Sequence, residues 1–139
     1  MAELTESRDY QVKGPVLILD VEAAGNDTYY RGAMLVANAN GFADVPTDTA
    51  NQLPLGVYTG RQGQIVAVAN GSHTKLELES GHILIPHSGA MQADVGKLFY
   101  LSDDGDVSET AGAKTWALKC KGWKPGFLLL DFASPVRTA

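Results

Sequence analysis

The chain has little of what most functional classes require. Its 139 residues include a single cysteine, Cys120, so no intrachain disulfide is available and the fold does not rest on an oxidising compartment. No apolar run approaches the roughly 20 residues of a membrane-spanning helix. The opening residues MAELTESRDY lack a basic region and an apolar core, so no signal peptide is expected and synthesis in a cytoplasm is. Helical periodicity is also missing, because no long stretch with period 3.6 is free of Gly or Pro and flanked by caps. The net charge of −5 and the scattered basic residues exclude the clustered cationic footprint that nucleic acid demands. The densest basic group, Lys114, Lys119, Lys121 and Lys124, is interleaved with Trp116 and Trp123 and reads as the solvated face of a strand.

Catalytic patterns are equally scarce. The sequence contains no G-x-S-x-G, no P-loop and no G-x-G-x-x-G. His73, His82 and His87 have no Cys, Asp or Glu at spacings that would complete a zinc shell, and are read as exposed loop residues. Asp103, Asp104 and Asp106 surround Gly105, but lack the alternating ligands and terminal Glu of a calcium loop; turn chemistry accounts for them. No catalytic residue, cofactor or metal is therefore expected.

What is present reads as short strands. A hydrophobic share of 45% with 19% charged residues fits one globular domain, and 15 glycines and 6 prolines fit many tight turns. The stretch Lys75–Glu109 states the pattern most clearly. Leu76 and Leu78 alternate with polar residues, Gly81 breaks the run, and His82–Ile85 resumes it before Pro86. Lys97–Leu101 and Val107–Thr110 flank Asp104-Gly105, which predicts a two-residue type I′ hairpin. Upstream, Val16–Val21 is a continuous apolar run, the pattern of a strand covered on both faces. Gly32 predicts a bulge or close backbone approach, and Asn38–Gly41 and Asn70-Gly71 predict turns. Thr47–Gln52 is read as a short helical turn, and Arg61–Gly63 as the turn joining strands Pro54–Gly60 and Gln64–Ala69. Trp116, Leu118 and Cys120 alternate with lysines, Lys124-Pro125-Gly126 turns the chain, and Phe127–Phe132 forms the last strand. The expected fold is all-β: a single antiparallel sandwich or barrel with short loops and little helix. Residues 1–13 are too polar to order themselves and are expected to form a flexible N-terminal arm, about 40 Å long when extended, ahead of a β-rich domain over 14–139.

Several of these elements occur together in a known family. The Leu55–Tyr58 element, the strand His82–Ile85 ending at Pro86, the segment Asp94–Tyr100 and the Asp-Gly turn into Val107-Ser108 resemble the capsid decoration (cement) proteins of tailed bacteriophages. That resemblance covers the layout from Tyr29 to Phe132. It implies a non-enzymatic virion protein on the capsid exterior that pins adjacent major capsid protein subunits, stabilises the expanded head and self-associates, with a trimer favoured and a dimer possible. Neither nucleic acid nor membrane is an expected partner. Candidate partner-binding residues are Leu4, Arg8 and Tyr10 of the arm, with Trp116 and Trp123 as large anchors. Two other readings share the β-rich acidic character. One is a tail or baseplate component; the other is a carbohydrate-binding barrel using Trp116, Trp123, Tyr29 or Tyr30 as a platform.

Overall fold

A computed structural model describes residues 3–25, 27–67 and 75–138, and over these residues the chain is an all-β, curled antiparallel half-barrel. The described residues form twelve strands: β1 (Gln11–Glu22), β2 (Asp27–Tyr29), β3 (Met34–Ala37), β4 (Ala43–Asp44), β5 (Leu53–Tyr58), β6 (Ile65–Ala67), β7 (Lys75–Pro86), β8 (Leu98–Leu101), β9 (Val107–Ser108), β10 (Trp116–Lys124), β11 (Phe127–Asp131) and β12 (Val136–Arg137). Among the described residues the only helical element is a 3₁₀ turn at Gln92–Asp94. The main sheet runs β4-β3-β5-β7-β11-β10-β8-β9, with β1 added to β7 and β12 added to β10, while β2 and β6 pair separately.

β7 is the spine. Its first half pairs with β5 through Val57↔Glu79 and Tyr58↔Leu78, and its second half pairs with β11 from His82↔Asp131 to Pro86↔Phe127. Gly81 sits between the halves at φ +138°, a conformation that L side chains rarely adopt, and a Cβ there would lie 2.7 Å from the Pro15 carbonyl oxygen. Gly81 thus marks an irregularity within one strand and does not end it.

Two cores flank this spine. Ile83 and Ile85 join Met34, Val57, Phe99, Leu118, Cys120, Leu128, Leu130 and Phe132 in one; Leu76 and Leu78 join Tyr29, Leu35 and Tyr58 in the other. Successive residues of β3 and β5 serve different cores, Met34 against Leu35 and Val57 against Tyr58, because side chains alternate across a strand. These two strands are covered on both faces.

The structure corrects several local expectations. Val16–Val21 is not covered on both faces: Val16, Leu17 and Ile18 are 44%, 60% and 49% exposed. Asp104-Gly105 is not a two-residue hairpin turn. Leu101↔Val107 is the last pair, residues 102–106 form the loop, and the Asp103 carboxylate accepts the N–H groups of Gly105 and Asp106, each at 2.8 Å. Neither Asp104 nor Gly105 has the positive φ that a type I′ turn needs. Thr47–Gln52 is not helical; the Gln52 side chain closes it as a loop by accepting the Thr47 N–H at 3.0 Å. β5 and β6 do not form a hairpin, since β6 pairs with β2 instead. Phe127–Asp131 is followed by a further strand, β12, held on Trp116 and Ala117. The turn expected at Asn70-Gly71 and His73 lie outside the described residues.

Other expectations hold. The Asn38 carboxamide oxygen accepts N–H groups from Asn40 and Phe42 and builds the β3–β4 turn. Gly32 is a close approach, because a Cβ there would lie 2.6 Å from Arg8.

Candidate functional site

The N-terminal segment lies along the protein's own body, anchored by Arg8. The Arg8 N–H donates to the Arg31 carbonyl at 3.0 Å. Its guanidinium donates to the carbonyls of Gly32 (3.2 Å), Gly105 (2.7 Å) and Asp104 (3.4 Å). Gly32 is what allows the guanidinium stem so close to the backbone. Four residues earlier, the Leu4 N–H donates to the buried Asp104 carboxylate at 2.8 Å, and the Leu4 side chain packs against the Tyr29 core. Tyr10 donates its hydroxyl to Glu79, lies under the Arg31 guanidinium at 5.0 Å, and packs with Val12 against the Ile83 core. Gln11, Val12 and Lys13 already belong to β1.

This docking leaves an open groove of about 590 Å³ beside the segment. It is lined by the apolar surfaces of Tyr10, Leu84, Pro86 and Phe127 and by the polar residues Arg8, Asp9, Gln11 and Lys124. The Lys124 ammonium sits 4.8 Å from the centre of the Phe127 ring, so the cation covers an aromatic face and remains at the surface. Such a groove suits an extended or loop segment with apolar side chains better than a small polar ligand.

The five candidate partner residues do not converge on one place. Arg8 and Tyr10 line the groove, whereas Leu4 is turned into its own core. Trp116 begins β10, with the Arg137 guanidinium 5.5 Å above its ring, and lines a small cleft with Pro46, Pro54 and Lys114. Trp123 lies near the other end of β10, 36% exposed, donating its indole N–H to the Gln92 carboxamide at 2.7 Å. Tyr29 is fully buried, with its hydroxyl 2.8 Å from the Ala24 carbonyl oxygen, which removes it as a carbohydrate platform.

Buried acids were hidden from sequence reasoning, because the turn chemistry of Asp103–Asp106 explained them too easily. Asp104 is almost wholly buried, and burial pushes its carboxyl up to about 6, reinforced by Glu3 and Asp103 and opposed by the Leu4 N–H and Arg8. Burial also lowers the pKa of Arg8, against the raising influence of Asp104, Asp106 and Asp103. Asp27 is held well above the usual carboxylate range by burial and by its hydrogen bond and charge repulsion with Asp44. His87 is not an exposed loop residue: its Nδ1 is 2.9 Å from the Asp106 carboxylate and its ring meets Phe99 edge-on. His82 lies within β7, its Nε2 3.6 Å from Asp131. Among the described residues no group of three or more His, Cys, Asp or Glu side chains is arranged to hold a metal ion.

With that geometry in place, the chain can be compared with known proteins. No family model matches the sequence, and no curated protein does. The fold matches a chain in a solved structure described as "The capsid of Myoviridae Phage XM1". The match covers 95% of this chain and 91% of that one, at a TM-score of 0.53 and 12% sequence identity. The shared property is the fold.

Proposed function

We propose that this chain is a structural component of a phage virion that sits on the capsid exterior and cements adjacent major capsid protein subunits. The observation that carries this reading is the near end-to-end fold match to a chain of a phage capsid structure. Three features support it. The open groove beside Arg8 and Tyr10 suits a segment of a capsid subunit. Trp123 offers a large, half-exposed anchor of the type that dominates interface energetics. A net charge of −5 keeps an exterior protein soluble at high local density. Cementing works by avidity: modest footprints repeated on a symmetric lattice gain about 10² to 10⁴ in effective affinity. The reaction chemistry of the chain is nil in this reading, and its residues serve binding alone.

The test uses purified chain and the expanded capsids of its own phage assembled without it. Co-sedimentation at saturating, lattice-stoichiometric amounts, with outer-face density in cryo-electron microscopy and a raised capsid melting temperature, is the expected result. Density confined to the tail or baseplate, or no co-sedimentation at all, would overturn the reading.

A further inference from the structure

One face of the main sheet carries apolar side chains that neither core uses. Side chains of paired residues on antiparallel strands share a face. The pairs Lys13↔His82, Leu129↔Leu84, Phe127↔Pro86 and Lys124↔Phe127 therefore lie on one side of the sheet, with Ile83 and Leu128 buried on the other. Lys119 joins that side, because Leu118 and Cys120 on either side of it point into the core. Further along β7, Leu76 and Leu78 share this face by alternation, but they are sealed in a core with Tyr29, Leu35 and Tyr58. Leu84, Phe127 and Leu129 belong to neither core, and the groove lies beside them.

The charges on this face are of one sign. Lys13, Lys119 and Lys124 are all exposed, and among the described residues none has a carboxylate at salt-bridge distance. The two acids nearby are already engaged. Asp9 lies 3.7 Å from Arg31, while Asp131 is buried, 3.6 Å from His82, and accepts the N–H groups of Ala133 and Ser134. The opposite face of β1 and β7 is the reverse: Ile18↔Glu79, Asp20↔Glu77 and Glu22↔Lys75 place four carboxylates there against one ammonium. A chain of net charge −5 thus keeps unpaired positive charge where it also leaves apolar surface.

We propose that this face docks an acidic segment of a partner protein, with apolar side chains laid on Leu84, Phe127 and Leu129 and carboxylates beside Lys13, Lys119 and Lys124. The inference rests on the cement reading for its partner, a capsid subunit, and adds the chemistry of the segment that subunit offers. Complementary charge fixes register and speeds encounter, while the apolar strip supplies the area to bury. Nucleic acid fits less well, because the aromatic ring on this face, Phe127, is already covered by the Lys124 ammonium and offers no platform for a base. A second copy fits less well too. It would have to present its own acidic face, where Glu77 is held by Arg61 at 2.8 Å and Glu79 by the Tyr10 hydroxyl.

The test is co-sedimentation of the full-length chain with expanded capsids of its own phage assembled without it. Lys119→Glu/Lys124→Glu is expected to bind about tenfold or more weakly than wild type at low salt. Added salt should weaken wild type and narrow that gap. Lys75→Glu, on the acidic face, should bind as wild type, and both variants should keep the wild-type melting temperature because the altered side chains are exposed. Capsid binding that the double variant retains, or that Lys75→Glu weakens equally, would overturn the proposal and leave the cement reading standing. Self-association of the isolated chain, or its binding to DNA, lost in the double variant would assign the face to that occupant and overturn it as well. No capsid binding by wild type sinks the cement reading, and this partner with it.

Discussion

β1 and β7 are neighbours of equal length, twelve residues each, paired along most of their course. By composition alone, β1 should be the buried one. Its VLILDV segment is more apolar than KLELES, yet Leu76 and Leu78 are fully buried while Leu17 is 60% exposed. The difference lies in topology. β7 is paired on both edges and contributes buried side chains to both cores, whereas β1, among the described residues, has one partner strand and crosses between the cores. A continuous apolar run therefore does not by itself decide that a strand is covered; the number of its partners does.

The sharpest contrast comes from truncating each strand. Ile83→Ala or Leu78→Ala removes fully buried side chains and is expected to destabilise the protein by about 2–5 kcal/mol in urea unfolding. Leu17→Ala at low protein concentration is expected to change it by about 0.5 kcal/mol or less. Equal losses at the two sites would erase the comparison.

Backbone contacts on the spine give the next effect. A Cβ on Gly56 would lie 2.3 Å from the Glu79 carbonyl oxygen, so Gly56→Ala forces β5 away from β7. It is expected to cost about 1–3 kcal/mol by urea unfolding, in line with overpacking of a tight site.

The docking of the N-terminal segment is predicted to be weaker than either core. Arg8→Met strips the hydrogen bonds to Gly32, Gly105 and Asp104 while keeping the apolar stem, and is expected to cost about 1–3 kcal/mol. Limited proteolysis ahead of Gln11 should accelerate, with the body staying intact.

The smallest effect is pH-dependent. The Asp104 carboxyl titrates at about 6 in the folded protein, above its unfolded value of about 3.9. The folded state then binds the proton more tightly, so this group's cost is fully present above about pH 6 and is relieved as pH falls toward 4. Asp104→Asn keeps a carboxamide oxygen for the Leu4 N–H and removes the titration. The stability that wild type gains from this group between pH 7 and pH 5, about 1 kcal/mol, should be missing in the variant. An identical pH profile in both would show that the buried carboxyl does not carry it.

Local chemistry made much of the fold legible. The alternation of Leu118 and Cys120 placed both inward, Pro125-Gly126 made the β10–β11 turn, and the Asn38 side chain made the β3–β4 turn. Pairings between distant segments had no local signature. Nothing near Asp27 announces that β2 will find Ile65–Ala67, and nothing near Val136 announces β12. The same holds for the candidate site. Arg8 and Tyr10 were visible as residues, but the groove they border is made by Leu84, Pro86 and Phe127, which arrive from two other strands. The polarity of residues 3–13 hid their docking, since backbone carbonyls of Gly32, Asp104 and Gly105 supply the acceptors.

The claim that β1 differs from β7 because it is paired along one edge only, among the described residues, is tested most directly by hydrogen exchange at residues 16–21. In a monomer, amides directed at β7 exchange slowly and the alternate ones, directed at the open edge, exchange fast. Amides 82–84 of β7, paired with β1 on one edge and β11 on the other, should exchange slowly in both directions. Uniformly slow exchange over residues 16–21 of the isolated chain would contradict the account.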